Sequence, residues 1–307
     1  MTTEHASRIW VLALLAQAAI AGLLMWAVPA SHPVDARLII VAPPVVSTSL
    51  VASADALDGH PFDASAAASE TTALADLAAG RADAVVVVDL SSDHDRLSVS
   101  AVNGPRGVAE ITRAVNQVEA SLGRTLTVAT VPIKGDRHTP YVVVLASLVL
   151  GFAAAVVVTW RHGSFATTFR AGLLRILGFV GFGAVLGLCC VWLPWPTPVL
   201  VATLVTAAAV TTSTLTALMG LLGLAVASLL FVLTAAPLGR FSPTLFIPQP
   251  WQSINGAMSH GAGLDLATTM INFGGWGSPR PWAVLAAWIG VGILTLFLAR
   301  VRSGRVR

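Results

Sequence analysis

Polar and apolar positions divide this chain into long uncharged runs and one mixed stretch. Ile9–Val28 and Tyr141–Trp160 are uncharged runs near the roughly 20 apolar residues that a helix needs to cross a bilayer. Ile176–Trp192 is slightly shorter and also free of charge, and Trp282–Ala299 is the last such run. Val199–Ala236 holds 38 residues without a charge, too long for one crossing, which predicts two helices joined by a tight turn near Thr211–Thr216. The pattern therefore predicts six membrane-spanning helices, none with an Asp, Glu, Lys or Arg inside it.

Between the first two spans, Ser31–Pro140 reads as a small α/β unit. Arg37–Ala42, Ala84–Leu90, Leu97–Val102 and Thr125–Ile133 have the short apolar or β-branched character of strands. Ser47–Leu57 and Glu70–Ala79 read as helices, the second stopped by Gly80. Val108, Ile111, Val115, Val118 and Leu122 share one face of a helix over Val108–Leu122, preceded by a turn at Asn103-Gly104-Pro105. About 110 residues are enough for a core of their own. The expected divisions are 1–30 for the N-terminus and first span, 31–140 for the α/β domain and 141–307 for a five-helix membrane domain.

Composition agrees with the spans. Only 11% of residues are charged and 55% are hydrophobic, with a mean hydropathy of +0.79, whereas a soluble domain carries about 25% charged residues. The first run could be a signal peptide, because Val28-Pro29-Ala30 before Ser31 resembles a cleavage site. Its apolar stretch exceeds the ~7–15 residues of a signal core and only Arg8 precedes it, which favours an uncleaved anchor.

Charge orients the spans. Arg8 precedes the first; Arg161, Arg170 and Arg175 lie between the second and third; Arg300, Arg302, Arg305 and Arg307 follow the sixth. The positive-inside rule puts these regions, and both termini, in the cytoplasm. The α/β domain, with thirteen of the fifteen acidic residues, then lies outside the cell membrane. The basic balance reflects this orientation and gives no reason to expect nucleic-acid binding. Trp26, Trp192, Trp195 and Trp282 fall at the outer ends, and Trp10 and Trp160 at the inner ones, where amphipathic rings prefer to sit. The alanine- and valine-rich composition, with the single lysine Lys134, points to a high-GC bacterium such as an actinobacterium.

Few residues suggest chemistry. The chain has no GxxxxGK[ST], HExxH or GxSxG motif, so no ATP site, zinc protease or hydrolase is expected from motifs, and no cofactor or metal site is expected. Ser259-His260 with Asp265 nearby is read as a polar loop, since a triad is a geometry rather than a run of neighbours. Cys189 and Cys190 are adjacent within one span and are read as packing. Gly183 and Gly187 form a GxxxG in the third span, a helix-packing signature. The threonines of Val199–Ala236 either bond their own helix or line a path. In Arg161–Arg175, apolar Phe165, Phe169 and Leu173 alternate with Arg161, Arg170 and Arg175. That segment could lie flat on the inner surface, either as a lipid-facing connector or as a docking element for a cytoplasmic ATPase.

The stretch Trp251–Trp276 is too polar for a plain span and too poor in charge for an ordinary loop. It holds Asn255, His260, Asp265 and Asn272. Irregular backbone at membrane depth survives only inside protein or beside a water-filled cavity. Two short helices, Gln249–Met258 and Leu264–Phe273, are expected to dip into the membrane within an outer loop over 241–281. The bend would be Ser259–Gly263, with Trp251 and Trp276 as interfacial anchors; the alternative is a loop on the outer surface.

Four stretches carry a family resemblance: ALADLAAGRADAVVVV (Ala73–Val88), SVSAVNGPRGVAEITRAVNQVEASLG (Ser98–Gly123), PIKGDRHTPYVVVLASLVLGF (Pro132–Phe152) and FSPTLFIPQPWQSINGAMSHGAGLDLATTMINFGG (Phe241–Gly275). Together with the order of parts, they resemble the ABC-2-type permease superfamily and its YhgE/Pip-like and DUF3533-like branch. The resemblance covers nearly the whole chain and implies re-entrant helices before the final span. Where such permeases often carry an acidic "ERE"-like segment after the second span, this chain has Trp160-Arg161-His162-Gly163-Ser164. The expected function is that of a permease subunit exporting a hydrophobic or amphipathic molecule, such as a lipid, drug or lipopeptide. It would work as a homodimer or with a sister permease, driven by a separate ATPase. The alternative is a non-transporting scaffold or receptor whose outer domain binds an envelope component or a protein.

Overall fold

The computed structural model describes residues 33–163, 168–233, 244–247 and 251–304. The expected first span, Phe165 and the C-terminal end of the fifth span fall outside the described residues.

The mixed stretch folds as a five-stranded sheet flanked by helices. In chain order it comprises β1 (Ala36–Val41), α1 (Pro44–Asp55), β2 (Phe62–Ala67), α2 (Glu70–Ala78), β3 (Ala84–Val87), β4 (His94–Ser100), α3 (Gly104–Ser121) and β5 (Thr125–Val131). Sheet order is β2-β1-β3-β4-β5, parallel throughout except between β3 and β4. Strand alternation sorts the core. Leu38, Ile40 and Val86 face Ala54 of α1 and Ile111 and Val115 of α3, while Ile39 and Val85 face Ala73 and Leu77 of α2. The Ser69 hydroxyl caps α2 by accepting the Thr72 amide at 3.2 Å.

Two expectations for this domain need correction. The edge strand β2 has no sequence signal in PFDASAAAS; it forms because β1 pairs with it residue for residue, from Ala36 with Phe62 to Val41 with Ala67. Asn103-Gly104-Pro105 is no separate turn: a short 3-10 turn over Ala101–Asn103 runs straight into α3, with Pro105 in its first turn, where a missing N–H costs nothing.

A buried polar cluster ties β4, α3 and β5 together. Arg124 donates from Nε to Asp95 Oδ2 at 2.6 Å and from Nη2 to Asp95 Oδ1 at 2.7 Å. The same Nη2 reaches the carbonyls of Asp89 and Ser92 at 2.7 and 3.0 Å. Burial opposes ionisation of Asp95, but the Arg124 guanidinium and the Asp89 amide outweigh it and hold the carboxyl below its ordinary value. Glu119, 6% exposed, moves the other way: burial and its hydrogen bond to Asp95 push it up to about 7.

The rest of the described chain is an α-helical membrane domain. Four helices are long and apolar enough to cross a bilayer: α4 (Thr139–His162), α5 (Phe169–Cys189), α6 (Thr197–Met219) and α10 (Pro279–Gly304), which qualifies over Pro279–Leu296 alone. A shorter apolar helix, α7 (Leu221–Ser228), continues as a π turn over Leu229–Leu233. The turn expected near Thr211–Thr216 is instead helical; the break comes at Gly220, whose φ of +61° suits glycine. Threonine density misleads here because each hydroxyl can return to its own helix. Thr203, Thr206, Thr214 and Thr216 donate to the carbonyls four residues back, at 2.6–3.0 Å.

Helix α6 is the axis, 78% buried, with α4, α5 and α10 around it. Each neighbour approaches through glycine. A β-carbon on Gly151 of α4 would lie 2.4 Å from the Val205 carbonyl oxygen; on Gly183 and Gly187 of α5 it would lie 2.6 and 2.5 Å from those of Ala202 and Pro198. On α10, a β-carbon at Gly292 would meet Val210 Cγ1 at 2.8 Å, and the Gly292 carbonyl accepts the Thr214 hydroxyl at 2.7 Å.

Packing this close makes the glycines testable. Gly183→Ala or Gly187→Ala should lose about 1–3 kcal/mol through overpacking, whereas Gly178→Ala, with nothing within 4 Å, should be neutral or slightly stabilising; thermal unfolding in detergent distinguishes them. Glu119 makes a pH test. Its proton is held more tightly folded than unfolded, where its ordinary value is 4.5. Its contribution is therefore fully present below about 4.5 and is lost as pH rises toward about 7. Glu119→Gln should remove that slope and make the protein more stable than wild type at pH 8, by on the order of 2 kcal/mol. Equal pH profiles for the two proteins would contradict this.

Candidate ligand pocket between the sheet domain and the paired short helices

Trp251–Trp276 contains two short helices, α8 (Trp251–Ala257) and α9 (Ser259–Thr268), the latter continued by a π turn over Thr269–Phe273. At 1.5 Å per residue neither approaches the ~30 Å of a bilayer core. The chain breaks at Met258 (φ −87°, ψ 151°), so the bend expected at Ser259–Gly263 is instead the opening of α9. Its glycines serve contact rather than turning. A β-carbon on Gly261 would lie 1.9 Å from the Asn255 carbonyl oxygen, and one on Gly263 would press on Leu204 of α6 and Val144 of α4.

Helix α9 packs among the long apolar helices. Ala262, Leu266, Ala267 and Met270 share a core with Leu148 of α4, Leu204 of α6 and Leu285 of α10. Trp288 of α10 donates its indole N–H to the Ala257 carbonyl at 3.0 Å, closing the end of α8. Trp251 and Trp276 are exposed, and Trp276 meets Trp195 edge-on at 6.1 Å.

The sheet domain forms a roof. The Phe273 ring lies against Gly80, where a β-carbon would be 2.6 Å from two ring carbons. The Lys134 amide donates to the Asn272 carbonyl at 3.2 Å, and Gly135 abuts the same residue. A second tie comes from Thr244–Phe246, a 3-10 turn that inserts Leu245 and Phe246 into the sheet-domain core. The Leu245 carbonyl accepts the Val34 amide at 2.7 Å, and the Arg106 guanidinium lies 4.5 Å from the centre of the Phe246 ring.

Between floor and roof lies a cavity of about 510 Å³. Asn255 and Asp265 line the floor; Arg37, Asp63 and Asp83 line the roof; Arg280 stands at the edge. Asp83 accepts Arg37 Nε at 3.0 Å, Nη2 at 3.3 Å and the Arg37 amide at 3.0 Å, which locks the roof pair. Burial disfavours the charge on Arg37, but Asp83 outweighs it and raises its pKa.

Polar groups at and behind the floor are unmatched. Asn255, His260 and Asn272 are 3%, 3% and 1% exposed, and of the three only Asn255 lines the cavity. Among the described residues, Asn255 Oδ1, both His260 ring nitrogens and both Asn272 side-chain polar atoms make no hydrogen bond. His260 therefore bonds neither Ser259 nor Asp265, and no triad exists there. No group of three or more His, Cys, Asp or Glu among the described residues is placed to hold a metal. No family model, curated protein or solved structure matches this chain.

The remaining site residues lie elsewhere. Arg161 is exposed in the last turn of α4, Phe169 and Arg170 open α5, and Phe165 lies outside the described residues. The expected flat segment is thus largely the ends of two long helices; only 163–168 separate them. Arg175, in the second turn of α5, donates from Nη2 to the Gly163 carbonyl at 2.9 Å. Arg161 stands about 33 Å along α4 from Thr139, by helix rise. Gly183 and Gly187 face α6, so the GxxxG is consumed within the chain. Cys189 and Cys190 are free thiols at the end of α5. The roof residues Arg37 and Asp83 had no sequence signal, since 46 positions separate them.

An unmatched buried polar group costs about 1–3 kcal/mol. Replacing His260 by Leu, of similar size, should leave the unfolding temperature in detergent unchanged or raised. A fall of several degrees would mean that the imidazole is held by a partner, and the unmatched reading would fail.

Proposed function

We propose that this protein is a permease-like subunit that moves a hydrophobic or amphipathic molecule across the bacterial cell membrane, driven by a separate ATPase. One observation supports this reading best. Two short helices, packed among helices long enough to span a bilayer, leave Asn255, His260 and Asn272 buried and unmatched beneath a polar cavity. A helix that served only as an anchor gains nothing from such groups, each of which costs stability. A transport path needs them, because a polar headgroup crossing an apolar layer must exchange water for protein partners.

In this reading the membrane domain has six spans and the sheet domain stands outside the cell, over the mouth of the path. The cavity receives the polar end of the molecule, while its apolar part stays among the helices. The absence of charge from the spans suits a lipid, drug or lipopeptide better than an ion. The resemblance to ABC-2-type permeases in Ala73–Val88 and Phe241–Gly275 supports the same assignment. Arg161, Phe169, Arg170 and Arg175 would then form the cytoplasmic surface on which the ATPase docks, and a homodimer or a sister permease would complete the transporter.

The test is purification in mild detergent from the native host, with mass spectrometry of the proteins that accompany the chain. A stoichiometric ATPase is expected, lost when residues 161–175 are scrambled and retained in Asp265→Asn. That second variant should lower ligand-stimulated ATP hydrolysis of the intact complex at least tenfold. A preparation free of any ATPase, with a partner held by the sheet domain instead, would replace this reading with that of a scaffold or receptor.

A further inference from the structure

The sheet domain has a second cavity, which shares no lining residue with the one over the paired helices. Helices α1 and α3 cover the same sheet face but leave a groove of about 810 Å³ between them. That lies within the roughly 300–1,000 Å³ of small-molecule sites. Its floor is Leu38, Ile40 and Val86, and its walls include Leu50, Leu57 and Leu122. Leu122 is 55% exposed, so this apolar surface is open rather than sealed core.

The charges in that lining have one sign in excess. Asp58, Glu110 and Glu119 face a single base, Arg113, and Arg113 is already bonded to Glu110 at 2.6 Å. Glu119 is the informative member. It is 6% exposed, and its Oε2 accepts no hydrogen bond among the described residues. The nearest cation, Arg124 Nε, is 3.8 Å away and committed to Asp95 at 2.6 Å. The charged groups facing Glu119 are thus Asp95 from β4 and Arg124 from the turn after α3. Glu119 shares a hydrogen bond with Asp95 and a long ion pair with Arg124, but its Oε2 has no donor, and a positive centre in the groove would supply the charge that Arg124 gives mainly to Asp95.

We propose that the α1/α3 groove binds an apolar organic cation, with Glu119 as its counter-charge. The apolar body of the ligand covers Leu38, Ile40 and Val86, and its positive centre lies toward Glu119. A hydrophobic anion meets the wrong charge, and a neutral molecule of the same shape gains only the apolar contact. The site is independent of the permease reading, since it lies wholly within the sheet domain.

The experiment uses the full chain in lipid nanodiscs at pH 8, with tetraphenylphosphonium as the probe and empty nanodiscs as the blank. A saturable component above the blank is expected. Glu119→Gln, which keeps the side-chain shape, should weaken it at least tenfold. Ser53→Trp, at an exposed position in the groove wall, should abolish it with Glu119 intact. Tetraphenylborate, of the same shape and opposite charge, should not compete. No saturable component, equal affinity in Glu119→Gln, binding that survives Ser53→Trp, or competition by tetraphenylborate would each overturn the proposal.

Discussion

Close approach to the backbone of α6 is the constraint on which the membrane domain depends. Hydrocarbon surroundings give two apolar helices little reason to associate, so van der Waals contact and the occasional hydrogen bond must do so. Here α4, α5 and α10 each present glycine toward α6, close enough that a β-carbon would strike a carbonyl oxygen or a valine methyl. The hydroxyls of α6 can be buried because most that have partners return to carbonyls on the same helix. Polar atoms and tight packing thus coexist without charge. This arrangement fixes α4, α6 and α10 relative to one another, and α9 packs on all three. The paired short helices are therefore held by the same glycines, though none of those glycines touches the cavity.

The sheet domain is clasped to the membrane domain at several separated points. Phe273 fits against Gly80, Asn272 meets the Lys134–Gly135 strap, and Leu245 and Phe246 fill part of the sheet-domain core. The last contact matters most for coupling. Leu245 and Phe246 are each 5% exposed, packed with Ile111 and Val115 of α3. A displacement of the chain preceding α8 would have to leave a hole in that core or carry α3 with it, and interiors packed at crystal density resist the first. The two cavities are thereby joined through α3: its Ile111 and Val115 hold the inserted turn, and its Val115 and Glu119 line the groove.

Much of the architecture was legible because it is local. The run AVVV at Ala84–Val87, the spacing of Val108, Ile111 and Val115, and the long uncharged runs each carry their own period. What was not legible depends on distant partners. FDASAA becomes a strand only through β1, and the Ala64 amide is further tied to Asp55 Oδ1 at 2.9 Å. Gly220 marked the true break in Val199–Ala236 more faithfully than the threonines did, because a hydroxyl four residues from a carbonyl leaves a helix intact while a φ of +61° does not. The floor of the cavity was visible as an anomaly of polarity within an oily segment. Its roof was not, because Arg37 and Asp83 look like any surface pair until the domain docks.

The two cavities differ in what they ask of a ligand, and the difference follows from how each is bounded. The one over α9 is walled partly by glycine-rich helix and partly by the locked Arg37–Asp83 pair, and its lining adds Asp63, Asp265 and Arg280 to the unmatched Asn255 amide oxygen. Carboxylates and an amide oxygen accept from hydroxyl or N–H donors at set directions, so this cavity asks a headgroup for donors in particular places. The α1/α3 groove is floored and walled largely by leucine, valine and isoleucine, carries an excess of acidic groups, and has one buried carboxylate oxygen without a hydrogen bond. Coulomb attraction in a partly desolvated groove falls off slowly with distance, so Glu119 can recognise a positive centre without fixing its geometry. A broad set of apolar cations would fit the groove, whereas the cavity over α9 would admit few headgroups. On the proposed readings, selectivity would belong to the paired short helices and capture to the groove on the sheet domain.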